Sequence, residues 1–99
     1  LIILLDKKNQ VIDMNELGPE VLSTPSIYMS EVAQKATDHK AASVILVQCL
    51  PSRSSTPYKN DREISKNLKQ ALETIDVDLL DHLIVGRTQC FSFADNQLL

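Results

Sequence analysis

Ser43-Val44-Ile45-Leu46-Val47 is the stretch on which the fold turns. Its apolar side chains follow one another without a polar break. The run is too short for a helix and rich in β-branched residues, so it reads as a central strand. Its neighbours carry the other period. Upstream, Met29, Val32, Ala33 and Ala36 recur at the i, i+3, i+4, i+7 spacing of one helical face. Ser30 is an alternative cap for a start one residue later, and the helix is expected to end near Lys40. Downstream, a Pro-, Ser-, Arg- and Thr-rich loop runs from Leu50 to Asn60. Ile64, Leu68, Ala71, Leu72 and Ile75 then repeat the helical spacing, with Lys66, Lys69 and Glu73 opposite. Asn60 is the expected cap of that helix, and Asp61 and Glu63 suit the positive end of its dipole.

Farther out, Leu1 to Leu5 is a second apolar run and is expected to be a strand buried on both faces. A polar turn, Lys7-Lys8-Asn9-Gln10, joins it to Val11-Ile12-Asp13-Met14 in a β-hairpin. Residues 15–28, with Gly18, Pro19 and Pro25, read mostly as loop with room for a short strand. Leu79 to Val85 is a strand and Gly86-Arg87 a turn. Thr88 to Phe93 is expected to form the last strand, with Cys90 and the two Phe on opposite faces. The order β-β-α-β-α-β-β makes an α/β domain, a mixed sheet flanked by helices.

The 99 residues allow one domain, and a hydrophobic share of 43% is ordinary for a globular chain. Without Trp, the core must come from Leu, Ile and Val. A net charge of −3 gives no general electrostatic case for nucleic acid or for an acidic membrane surface. No apolar run is long enough to span a bilayer and nothing resembles a signal peptide. Cys49 and Cys90 form no CxxC pair, so they are expected to be free thiols in a reducing, cytoplasmic setting. The first residue is Leu, so the chain reads as the C-terminal part of a longer protein.

Val47-Gln48-Cys49-Leu50-Pro51-Ser52-Arg53 and Pro57-Tyr58-Lys59-Asn60-Asp61 carry the functional reading. Here, and across nearly the whole chain, the sequence resembles the RadC branch of the JAMM (JAB/MPN) metalloprotease-like domains, which share a cytidine-deaminase-like architecture. In that family a strand enters His-x-His-Pro-Ser-Gly, and Pro-Ser-x-x-Asp then opens a helix. This chain keeps Pro51, Ser52, Pro57 and Asp61 in that register. Leu5-Asp6-Lys7-Lys8-Asn9-Gln10-Val11-Ile12 is similar to the family's hairpin, and Ala41 to Leu46 to its strand entry. Leu79-Leu80-Asp81-His82-Leu83-Ile84-Val85-Gly86 and Ser92-Phe93 match its closing segments.

The resemblance implies a zinc site built from two histidines and an aspartate, whose bound water attacks a peptide-type carbonyl. At the matching positions stand Gln48, Leu50 and Asp61. Leu has no donor atom, and Gln offers only a neutral amide oxygen. Tyr58 replaces a serine near the site and Arg53 the glycine after Pro-Ser. Cys49 lies between the ligand positions and is expected to point to the other face of its strand, away from any rescue. The family's general-base glutamate would precede Leu1.

Each of these residues also has a plainer reading. Asp61 alone reads as a helix N-terminal carboxylate, Asp81 and His82 as a pair that fixes a strand, and His39 as a cation at a helix end. Arg53, Lys59, Arg62, Lys66 and Lys69 concentrate in one loop and the following helix, where a solvated face competes with a phosphate-tracking patch. The leading expectation is a RadC-like domain without catalytic zinc or any other cofactor, serving as a structural or protein-interaction module. The alternative is a JAMM-class peptidase or isopeptidase with an altered metal site. An association with DNA, suggested by the family's repair label, is the weakest.

Overall fold

A computed structural model describes residues 1–16 and 25–99. Five strands form one sheet in the order β2-β1-β3-β4-β5. They are β1 (Ile2–Leu5), β2 (Val11–Asn15), β3 (Ser43–Cys49), β4 (Asp78–Val85) and β5 (Cys90–Ser92), with helices α1 (Pro25–Asp38) and α2 (Lys59–Glu73) between. The order β-β-α-β-α-β-β and the mixed sheet are those read from the sequence. β1 pairs antiparallel with β2 and β3, β3 pairs parallel with β4, and β4 antiparallel with β5. Among the described residues no helix is long and apolar enough to cross a membrane.

Both helices cover the same face of the sheet. Val32 and Ala36 of α1 and Leu68 and Leu72 of α2 share one core with Ile2, Leu4, Val44 and Leu46. Fully burying a Leu or Ile contributes about 1.5–3 kcal/mol, so this cluster carries the fold. The alternate residues Ile3, Ile45 and Val47 face the other way and are only half-buried. β1 is therefore not buried on both faces among the described residues, which corrects that expectation, whereas β3 is the central strand that its sequence predicts. A continuous apolar run is a strand signal, but it does not say how many layers cover the sheet.

The boundaries differ in instructive places. α1 starts at Pro25, so residues 25–28, read as loop, are helical. Proline is tolerated in a first helical turn because its missing N–H has no partner there anyway. The short strand expected within 15–28 falls partly on residues 17–24, outside the described residues. α1 ends at Asp38 because Lys40 adopts φ 53°, and Ala41 N–H donates to Ala36 O at 2.9 Å. α2 ends the same way, with Asp76 at φ 57° and Val77 N–H donating to Leu72 O at 3.0 Å. Such ends usually carry glycine; here charged residues hold the left-handed conformation, and Ile75 lies beyond the helix. The last strand is also shorter than expected, because the chain turns after Ser92.

Candidate functional site

β3, α2 and β4 form a parallel crossover, and Gln48, Leu50, Pro51, Ser52, Tyr58 and Asp61 lie between the end of β3 and the first turn of α2, while Asp81 and His82 lie on β4. In open α/β sheets this carboxyl edge is where ligands are usually received. Gln48 lies on β3 two residues after Leu46, on the helix-covered face, and Leu46 is the register partner of His82 on β4. The two side chains meet, His82 Nε2 to Gln48 Oε1, at 2.6 Å. With the amide in this orientation Nε2–H donates and the other ring nitrogen carries a lone pair. That Nδ1 is buried and unpartnered among the described residues. The imidazole stacks on Phe93 at 4.2 Å and 15°, and Phe91 meets Phe93 edge-on at 5.6 Å. Burial pulls the His82 pKa down to about 4, and the charges of Asp61 and Asp81 offset only part of it. His82 is thus a neutral core residue at neutral pH.

Asp81, its neighbour, belongs to the opposite face and makes no bond to the imidazole. Its carboxylate accepts Ser92 Oγ–H at 2.6 Å, Ala94 N–H at 3.0 Å and His82 N–H at 2.7 Å. This ties β5 and the turn after it to β4. The residues look like a dyad in the sequence but do separate structural work, because successive side chains on a strand diverge.

Asp61 is buried in the first turn of α2. One of its oxygens accepts Tyr58 N–H at 2.7 Å and the Arg53 guanidinium at 2.6 Å. The cap of α2 is therefore at Tyr58, not Asn60, and it works through the Asp61 carboxylate reaching back to the Tyr58 N–H. Arg53 also donates to Thr56 O and Ser54 O, and its guanidinium lies 3.6 Å from the Tyr58 ring centroid. The position that holds glycine in the resembled family thus supplies a cation that sits on the retained aspartate. The sequence alone places Arg53 in a basic patch and at the family's glycine position, but does not pair it with Asp61. Its signal was the exchange of a glycine for an arginine eight residues before Asp61.

Leu50 follows β3 and adds one more rung to the parallel ladder, Leu50 N–H to Val85 O at 2.8 Å. Its side chain is half-buried. Pro51 and Ser52 lie in the exposed turn that Arg53 N–H closes onto Leu50 O at 3.2 Å. Arg87 binds this turn twice, to Ser52 O through its guanidinium and to Arg53 O through its N–H. Gly86 packs against Ser54 and Ser55 so closely that a Cβ would lie 2.5 Å from Ser55 N. Cys49 is exposed and, pointing opposite to Gln48, takes no part in the network. Cys49 and Cys90 are both register partners of Val85. They stand two strand spacings apart, about 10 Å, too far for a disulfide without backbone movement.

The donor atoms facing this corner do not make a zinc site. The Gln48 amide oxygen is engaged by His82, Leu50 has no donor, and Asp61 is engaged by Arg53. Among the described residues, no group of three or more His, Cys, Asp or Glu side chains is placed to hold a metal ion.

Comparison with known proteins gives a consistent result. A profile for the RadC-like JAB domain matches residues 1–98. The chain is 43% identical over 94 residues to a UPF0758 protein of Saccharophagus degradans, covering 95% of this chain and 42% of the relative. It is 44% identical over 94 residues to a UPF0758 protein of Shewanella pealeana, covering 95% and 42%. A UPF0758 protein of Burkholderia cenocepacia is 41% identical over 90 residues, covering 91% and 35%. The chain spans less than half the length of these relatives.

Proposed function

Since the chain belongs to the RadC-like JAB domain family, we propose that it is a non-catalytic member, retained as a structural or protein-interaction module in a reducing, cytoplasmic setting. The observation that carries this reading is the Arg53 guanidinium 2.6 Å from the Asp61 carboxylate. A zinc ion would need that carboxylate, and an internal cation already neutralises it. Catalytic zinc takes three protein ligands and keeps one position for water. Losing partners that only orient ligands typically costs about 10–100-fold in affinity or activity. Replacing two ligands outright and pairing the third with arginine goes further.

The test is a stepwise restoration. Gln48→His with Leu50→His should take up little zinc while Arg53 remains. Adding Arg53→Gly should free Asp61 and bring zinc binding, read by calorimetry and metal analysis. Stoichiometric zinc in the unmodified chain, lost in Asp61→Asn, would overturn the reading in favour of a peptidase with an altered metal site.

A further inference from the structure

Arg62, Lys66 and Lys69 follow one another at i, i+4 and i+7 on α2, which aligns them on one stripe. None has a carboxylate within ion-pair distance among the described residues, where the ion pairs are His39–Asp13 and Arg53–Asp61. In a chain of net charge −3 this is a local departure. The stripe borders a groove of about 420 Å³ that Leu98 and Leu99 also line. Ser65, on the same lining, is buried, and its hydroxyl has no hydrogen-bond partner among the described residues.

The groove does not end there. A second cavity of about 350 Å³ shares Lys69, Glu73 and Leu99 with the first and runs on past Asp78, Leu79 and Leu80. Together they make a trough with Arg62 and Lys66 at one end, Lys69, Glu73 and Leu99 where the two cavities meet, and Asp78 with Leu79 and Leu80 at the other. A small ligand would fill only one of the two cavities. A phosphate backbone would meet attraction at the first end and repulsion at the second.

We propose that this trough docks an extended peptide segment of a partner protein. The segment has acidic residues at the Arg62 and Lys66 end, apolar residues against Leu98 and Leu99, and a basic residue near Asp78. The inference deepens the interaction-module reading and rests on it. Charge complementarity fixes the orientation of the peptide, and the leucines supply the area that water must leave.

Fluorescence anisotropy with defined probes tests it. The probes are a labelled peptide Asp-Glu-Glu-Leu-Val-Leu-Lys-Lys, the same peptide in reverse order, a scrambled peptide of the same composition, and labelled oligothymidylate. One direction of the charge-segregated peptide should bind at least about tenfold more tightly than the scrambled one, roughly 1.4 kcal/mol. Lys66→Glu with Lys69→Glu should remove that preference while circular dichroism stays unchanged, and Asp78→Lys should weaken it from the other end. Equal binding of segregated and scrambled peptides would overturn the proposal. So would tighter binding of the oligonucleotide, or a dimer in sedimentation that Lys66→Glu with Lys69→Glu dissolves. Zinc loading of the unmodified chain would sink the non-catalytic reading and leave the peptide result standing. Loss of the peptide preference would sink the trough alone.

Discussion

His82 and Gln48, 34 residues apart in the chain, meet at 2.6 Å across the parallel pair β3 and β4. The position at which the family resemblance calls for a metal-binding histidine is thereby tied to a buried imidazole held near pKa 4. A polar residue beside a neutral, buried ring completes that ring's hydrogen bonding, and this gives Gln48 a structural use that needs no metal.

The depressed pKa of His82 makes stability depend on pH. The unfolded imidazole titrates near about 6.5, whereas the folded one does so at about 4. Between those values the unfolded chain binds a proton that the folded chain does not. Stability is therefore fully present above about pH 6.5 and is lost as the pH falls towards 4. The loss is on the order of 3 kcal/mol at most. Asp13, whose carboxyl is held below its usual range by Asn15 and Met14, acts only at lower pH. Urea midpoints at pH 7 and at about pH 4.5 check this, and His82→Leu should flatten the difference. An unchanged midpoint in the natural chain would disprove it.

Arg53→Ala leaves the buried Asp61 carboxylate with Tyr58 N–H as its remaining partner. Because the arginine is partly exposed, the expected cost is about 2–3 kcal/mol, below that of a fully buried pair. In a double-mutant cycle with Asp61→Asn the coupling should exceed about 1 kcal/mol. Chelators should leave the urea midpoint of the natural chain in place. A coupling indistinguishable from zero would show that the ion pair contributes nothing.

Asp81→Ala removes the acceptor of Ser92 Oγ–H and Ala94 N–H. We expect about 2 kcal/mol of destabilisation. Amide exchange should accelerate selectively over residues 90–98, which the carboxylate ties to β4. Uniform acceleration across the sheet would mean that Asp81 supports the whole fold and not this edge.

Gly86→Ala forces a Cβ to within 2.9 Å or less of Ser54 and Ser55 backbone atoms. Backbone cannot yield as a flexible side chain can, so the loop carrying Arg53 must shift. A loss of about 1–3 kcal/mol is expected. Weakened Arg53–Asp61 coupling in the same background would show that the shift reaches the candidate site. Wild-type stability in the variant would contradict the close approach.

Much of this protein is legible in its sequence because it rests on periodicity. Ser43 to Val47 declares a strand, Leu68 and Leu72 a buried helical stripe, and Cys49 its own opposition to Gln48, all from spacing alone. The helix ends were not legible. Lys40 and Asp76 take the left-handed conformation usually given to glycine, and only the hydrogen bonds from Ala41 and Val77 reveal why. The number of layers on the sheet was not legible either, since the apolar runs do not distinguish a covered face from a half-open one.

The sequence by itself determined the order of elements, the opposition of Cys49 to Gln48, and the substitutions at Gln48, Leu50 and Arg53. These follow from side-chain chemistry and from the fixed periods of helix and strand. Only the tertiary structure decided what those substitutions do. It set His82 against Gln48 through a parallel register across a crossover, turned Arg53 onto Asp61 through a loop closed against Gly86, and aligned the cations of α2 with Leu98 and Leu99. Contacts between residues far apart in the chain depend on how elements pack, and no local spacing encodes that.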